Sequence, residues 1–105
     1  MKRFEIYLDD QLIGHTAFEN GDAAMGVAFG RFLPTSAYRR DMITEDSVIV
    51  VKIGDTTIRS TGGAYIEDYF EEMGEIEVAI LGVDCPPYNA LFPEHEAAYE
   101  AGFRN

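Results

Sequence analysis

Six carboxylates fall within eleven residues of this chain, Glu67, Asp68, Glu71, Glu72, Glu75 and Glu77, with no basic residue among them. Carboxylates at this density can ligate a cation, work as an acid–base pair, or present a negative field to a basic surface. A calcium loop needs oxygen ligands at alternate positions around a glycine turn, and a regular helix does not supply that. Glycosidase-type pairs need a cleft and a separation of about 5–9 Å, and nineteen acids in one chain guarantee some pairs by chance. Read as a helix over 64–73, the segment places Glu67–Glu71 and Asp68–Glu72 as like-charge i, i+4 pairs, each costing a few tenths of a kcal/mol. Glu71 and Glu72 would also sit at the negative end of the helix dipole. The sequence thus tolerates about 1–2 kcal/mol of avoidable repulsion against a typical stability of about 5–15 kcal/mol. A solvated face accounts for that. So does a docking surface for a basic protein, with Tyr65 and Tyr69 as aromatic anchors.

The other reactive side chains are few. His95 lies in Glu94-His95-Glu96, whose neighbours would point about 100° apart on a helix and could not wrap one metal. His15 would have to converge from a distant strand, and a zinc site would still need Asp or Glu to complete it. Cys85 sits in Asp84-Cys85-Pro86, with no basic neighbour to lower its thiol pKa. Gly26-Val-Ala-Phe-Gly30 lacks the Lys-Ser/Thr that completes a phosphate loop, and Pro86-Pro87-Tyr88 has Asn89 where a WW-domain ligand has Tyr. No catalytic residue, metal site or cofactor is implied. An alternative reading is a small enzyme or ligand-binding domain, with a site near the smooth Gly26/Gly30 face and with His15 and Arg31 as its polar groups.

The whole chain has 105 residues and a formal net charge of −11. Its acidity is lopsided: residues 1–60 hold nine acids and seven bases, and residues 61–105 hold ten acids and one base, Arg104. Such a field repels phosphate backbones and anionic lipids, so neither a nucleic acid nor a membrane is the expected partner. Arg31, Arg39 and Arg40 make a thin basic cluster, expected to pair with local acids such as Asp41 and Glu45. The length predicts one globular domain over 1–105. A single cysteine suits a reducing compartment, most simply the cytoplasm. Neither a secretory apolar stretch after Met1-Lys2-Arg3 nor a lipidation motif is expected. In size, acidity and lack of catalytic signatures the chain is similar to bacterial immunity proteins and antitoxins, a likeness of properties that rests on no motif.

The elements that must position these groups are legible in part. Phe4 to Leu8 alternates, Asp9-Asp10 turns, and Gln11 to Glu19 resumes an extended pattern, which predicts a hairpin. Asn20-Gly21-Asp22 reads as a further turn. Residues 23–33 favour a strand, with Met25, Val27, Phe29, Arg31 and Leu33 on one face and Gly26, Ala28 and Gly30 on the other. Gly26 and Gly30 would also stack in a helix, at a cost of about 2 kcal/mol. A short helical turn is expected within 36–42. Ser47 to Ile53 and Thr56 to Ser60 read as a strand pair around Gly54-Asp55, ended by Thr61-Gly62-Gly63. Ala64 to Met73 fits an amphipathic helix through Ile66, Tyr69, Phe70 and Met73, with Gly74 at its C-terminus. Glu75 to Val83 alternates as a strand, and Pro93 to Ala101 is a second helix.

The expectation is therefore an α+β fold: a mostly antiparallel sheet of about five or six strands with two helices in a single layer on it. The expected function is a non-enzymatic acidic binding module for a basic protein partner, of the immunity- or antitoxin-like kind. A homodimer through an exposed edge of the first hairpin is a further possibility.

Overall fold

A computed structural model describes residues 2–102 of the chain. Arg104, the one base of the acidic part, lies outside them. Eight antiparallel strands form one sheet: β1 (Phe4–Leu8), β2 (Gln11–Thr16), β3 (Asn20–Asp22), β4 (Val27–Arg31), β5 (Leu33–Pro34), β6 (Ile49–Ile53), β7 (Thr56–Tyr69) and β8 (Glu75–Cys85). A 3₁₀ turn spans Arg40–Met42, and the helices are α1 (Phe70–Met73), α2 (Tyr88–Leu91) and α3 (Pro93–Gly102). No helix among the described residues is long and apolar enough to cross a membrane.

The strand order is β3-β4-β8-β7-β6-β1-β2-β5. Its two ends are joined by very short chain. Phe32 alone separates β4 from β5, and residues 17–19 separate β2 from β3. Since consecutive Cα atoms are about 3.8 Å apart, the two ends of the sheet must lie close together. The sheet is therefore curled into a half-barrel. This replaces the flat five- or six-stranded sheet with one helical layer. The extra strands arise because two extended segments each bend and change neighbours, at Phe18 and at Phe32. Phe18 holds a positive φ of 46° at its bend.

The inward residues of the strands fill the curl. Phe4, Ile6, Leu8, Ile13, Ala28, Val51, Ile58, Ile76, Val78 and Ile80 are buried, as the period-2 pattern requires. The residue after α2 completes this core. The Phe92 ring stacks on Phe4 at 5.4 Å and meets Phe18 edge-on at 5.9 Å, while Phe4 and Phe18 meet at 5.0 Å. Tyr88 of α2 donates its hydroxyl to the Val27 carbonyl at 2.8 Å. Helical structure thus seals one region of the core rather than layering over the sheet.

The largest local correction concerns 64–73. Residues Ala64–Tyr69 are the second half of β7, and helix is confined to α1, capped as expected by Gly74, whose N–H donates to the Phe70 carbonyl at 2.8 Å. The same six residues satisfy a period of two, with Ala64, Ile66 and Asp68 inward and Tyr65, Glu67 and Tyr69 outward. Pairing with β8 from Gly63↔Leu81 to Tyr69↔Glu75 decides between the periods. Thr61-Gly62-Gly63 is a bulge within β7 rather than its end, since the register shifts there and Gly63 has φ 78°. Residues 20–22, expected as a turn, pair with β4 as a short edge strand.

Candidate functional site

The acid run lies at the hairpin end of β7 and β8, with Glu71 and Glu72 on the single helical turn α1 between the two strands. Glu67 stands directly opposite Glu77, and Tyr69 opposite Glu75. On the far side of β8, Arg31 is the partner of Glu77 in β4. The outer face thus carries a row of Arg31, Glu77 and Glu67 across three strands, beside a row of Phe29, Ala79 and Tyr65.

Bases absent from the run itself reach it from elsewhere. Arg31 Nη2 contacts Glu75 Oε1 at 2.7 Å, and Arg40 reaches Glu71 at 3.1 Å and Glu72 at 3.8 Å. The arginines were expected to pair with Asp41 and Glu45. Arg31 and Arg40 are drawn to the acid run because the curl brings the 3₁₀ turn and the end of β4 to it. These pairs are solvent-exposed and each contributes little to stability.

Asp68 points inward and is structural. Tyr38 donates its hydroxyl to Asp68 Oδ2 at 2.7 Å, and the Phe70 N–H donates to Oδ1 at 2.9 Å. Burial pushes this carboxyl up, but the Phe70 amide, the Tyr38 hydroxyl and nearby Arg40 together hold it below the usual carboxylate range. Burial, then the bond to Asp68, raises the Tyr38 hydroxyl well above its ordinary value. Tyr69 donates to the Glu67 carboxylate, which raises the Tyr69 hydroxyl as well. Glu67 and Glu77 have no ion pair among the described residues.

The apolar part of the site was under-read from sequence. Tyr65, Tyr69, Phe70 and Met73 are 53%, 39%, 63% and 66% exposed. Phe70 and Met73 were assigned to a buried helix stripe, and the pattern that hid them is the same i, i+3, i+4 spacing that suggested the helix.

The residues of the alternative site are brought together only in part: Gly30 and Arg31 line one cleft, and His15 and Gly26 lie outside it. Ala28 and Gly30 face inward and are buried, and the Glu19 carboxylate fills the space where a Gly30 side chain would stand. Glu19 Oε2 accepts the Arg31 N–H at 3.0 Å. Gly26, at φ 66°, turns the chain close to the Gly82 backbone. A cleft of about 310 Å³ does include Arg31, with Gly30, Tyr69, Met73, Glu75 and Glu77 in its wall. Its guanidinium is spent on Glu75, however, and His15 lines no part of that cleft. His15 Nδ1 instead lies 3.2 Å from Arg3 Nη2.

His95 is half-buried at the surface. Its ring stacks on Phe92 at 5.2 Å, and Nε2 lies 2.7 Å from the Phe18 carbonyl. Cys85 is exposed and free. No group of three or more His, Cys, Asp or Glu side chains is placed to hold a metal among the described residues. In the first hairpin β1 lies between β2 and β6, and the two-residue β5 pairs with β2 at Gly14 and His15.

The fold class is thus a small curled antiparallel half-barrel, and its most distinctive surface is the acidic, aromatic end of the β7–β8 hairpin. No family model, no curated protein and no solved structure matches this chain.

Proposed function

We propose that this protein is a non-enzymatic binding module that engages a basic protein surface through the outer face of the β7–β8 hairpin and α1. One observation carries the reading. Four large apolar side chains, Tyr65, Tyr69, Phe70 and Met73, stand exposed among Glu67, Glu71, Glu72 and Glu77. Binding energy in interfaces concentrates in a few aromatic anchors, and the surrounding field of one sign speeds encounter and selects partners of the other sign. Glu67, Glu71, Glu72, Glu75 and Glu77 supply that field. Asp68 supports the turn beneath them. The lone cysteine suits action in a reducing compartment such as the cytoplasm, and an inhibitor of a cationic protein, of the immunity or antitoxin kind, is the simplest role for such a surface.

The test compares capture of native partners by the unaltered chain, by Tyr65→Ala/Tyr69→Ala and by Glu67→Lys/Glu77→Lys. A basic protein is retained at low salt by the unaltered chain and lost by both double variants. Equal retention of the same protein by the charge-reversed variant, independent of salt, would sink the reading.

A further inference from the structure

We infer that the unpaired edge of β7 at Ala64 and Ile66 receives an extended basic segment of the partner as an added strand. This rests on the reading of the chain as a binding module and specifies how the partner is held.

The hydrogen-bond alternation of an antiparallel sheet identifies the free groups. The Phe32 N–H donates to the Ile76 carbonyl at 2.8 Å, in register with the β4–β8 ladder. Ile76, Val78 and Ile80 therefore direct their backbone groups to β4, and Glu75, Glu77, Ala79 and Leu81 direct theirs to β7. On β7 it follows that Gly63, Tyr65, Glu67 and Tyr69 face β8, while Ala64, Ile66 and Asp68 face the other side. The Asp68 carbonyl accepts from Arg40 Nη2 at 3.4 Å on that side. β6 pairs with β7 only over Thr56–Ile58, because the bulge at residues 60–63 carries β7 away from it. Ala64 and Ile66 are left with no backbone partner on that side among the described residues.

Burial gives an independent sign of the same gap. The inward residues Ile76, Val78 and Ile80 of β8 are 7%, 0% and 1% exposed, whereas the inward Ala64 and Ile66 beside them are only half-buried. The core is incompletely covered where β7 has no neighbour. The other edges of the sheet are kept short: β3 has three residues, and β5 has two and contains Pro34. Residues 63–67 offer a longer stretch, about 16 Å at the rise of a strand.

Charge selects the occupant. Glu67 lies within this stretch, and Glu71 and Glu72 follow it. A second copy would bring its own −11 to the edge, so the complement is an extended segment with alternating Lys or Arg. Strand addition of this kind draws affinity from main-chain bonds and specificity from alternate side chains.

The probe is a seven-residue peptide of alternating Lys or Arg and Val, amidated and acetylated, together with two forms N-methylated on alternate residues in either frame. Amide exchange at Ala64 and Ile66 slows by about tenfold or more on peptide addition, and one N-methylated form loses that effect while the other keeps it. Salt-sensitive peptide binding that leaves both amides unprotected would overturn strand addition while leaving the binding-module reading intact. Failure of the peptide to bind at low salt also overturns it. The capture experiment then judges the wider reading separately.

Discussion

Glu67 of β7 and Glu77 of β8 are direct cross-strand partners on the outer face of the half-barrel. Like charges facing each other across a sheet destabilise it, and the Arg31 guanidinium opposite Glu77 is turned to Glu75 instead. Glu67→Lys, which sets a Lys against Glu77, is expected to stabilise the fold by about 0.2–1 kcal/mol in urea unfolding. Added salt should stabilise the unaltered chain more than this variant, since it screens the repulsion. If surface carboxylates here cost the fold nothing, the two melts will coincide.

The Tyr38–Asp68 bond predicts an acid-sensitive contribution to stability. The Asp68 carboxyl is lowered in the folded chain. A lowered carboxylate stabilises the fold above its unfolded pKa of about 4, and that contribution disappears as the pH falls through the folded value. Asp68→Asn should therefore lower stability near neutrality and flatten the acid limb below about pH 4. Unfolding followed by circular dichroism across this range checks it. Parallel acid limbs for both chains would show that Asp68 does not titrate with folding.

Tyr88 gives the opposite limb. Burial, then the charges of Asp22 and Glu94, pushes its hydroxyl up to about 12. The folded state holds the neutral phenol, so its contribution is full below the ordinary tyrosine value of about 10 and is lost as the pH rises through about 12. Tyr88→Phe removes the bond to the Val27 carbonyl, at a cost of about 0.5–1.5 kcal/mol at neutral pH, and shallows the alkaline loss. Stability measured at pH 7 and at high pH separates the two effects.

Phe92 tests whether the segment after α2 belongs to the core. It is fully buried and contacts Phe4, Phe18, Tyr88 and His95. Phe92→Ala should cost about 3–5 kcal/mol, and Phe92→Leu less, in equilibrium unfolding. A loss below about 1 kcal/mol would place Phe92 outside the cooperative core.

Much of the strand pattern was legible. Asp9-Asp10 turns with φ values of 50° and 66°, the Asn/Asp-tolerated conformation that a tight hairpin needs. The inward–outward alternation of 27–31 and 75–80 also appears in their burial. The acid site was legible in composition and misread in geometry. Ala64-Tyr65-Ile66-Glu67-Asp68-Tyr69 satisfies both periods, and local spacing cannot choose between them. In a helix its like-charge i, i+4 pairs are a tolerated repulsion, and the strand removes that repulsion while creating the Glu67–Glu77 opposition.

The amino-acid sequence by itself determined what local chemistry can determine: the tight turns, the Gly74 helix end, the alternation of the main strands and the concentration of carboxylates between Glu67 and Glu77. Only the tertiary structure decided where those charges sit and what they meet. Arg40 is 31 residues from Glu71, and Arg31 is 44 residues from Glu75, yet both pairs form. The physical reason is that curling the sheet is a cooperative, long-range event. It depends on bends at Phe18 and Phe32 and on the Phe4, Phe18 and Phe92 packing, and none of these carries a signature within a single local window.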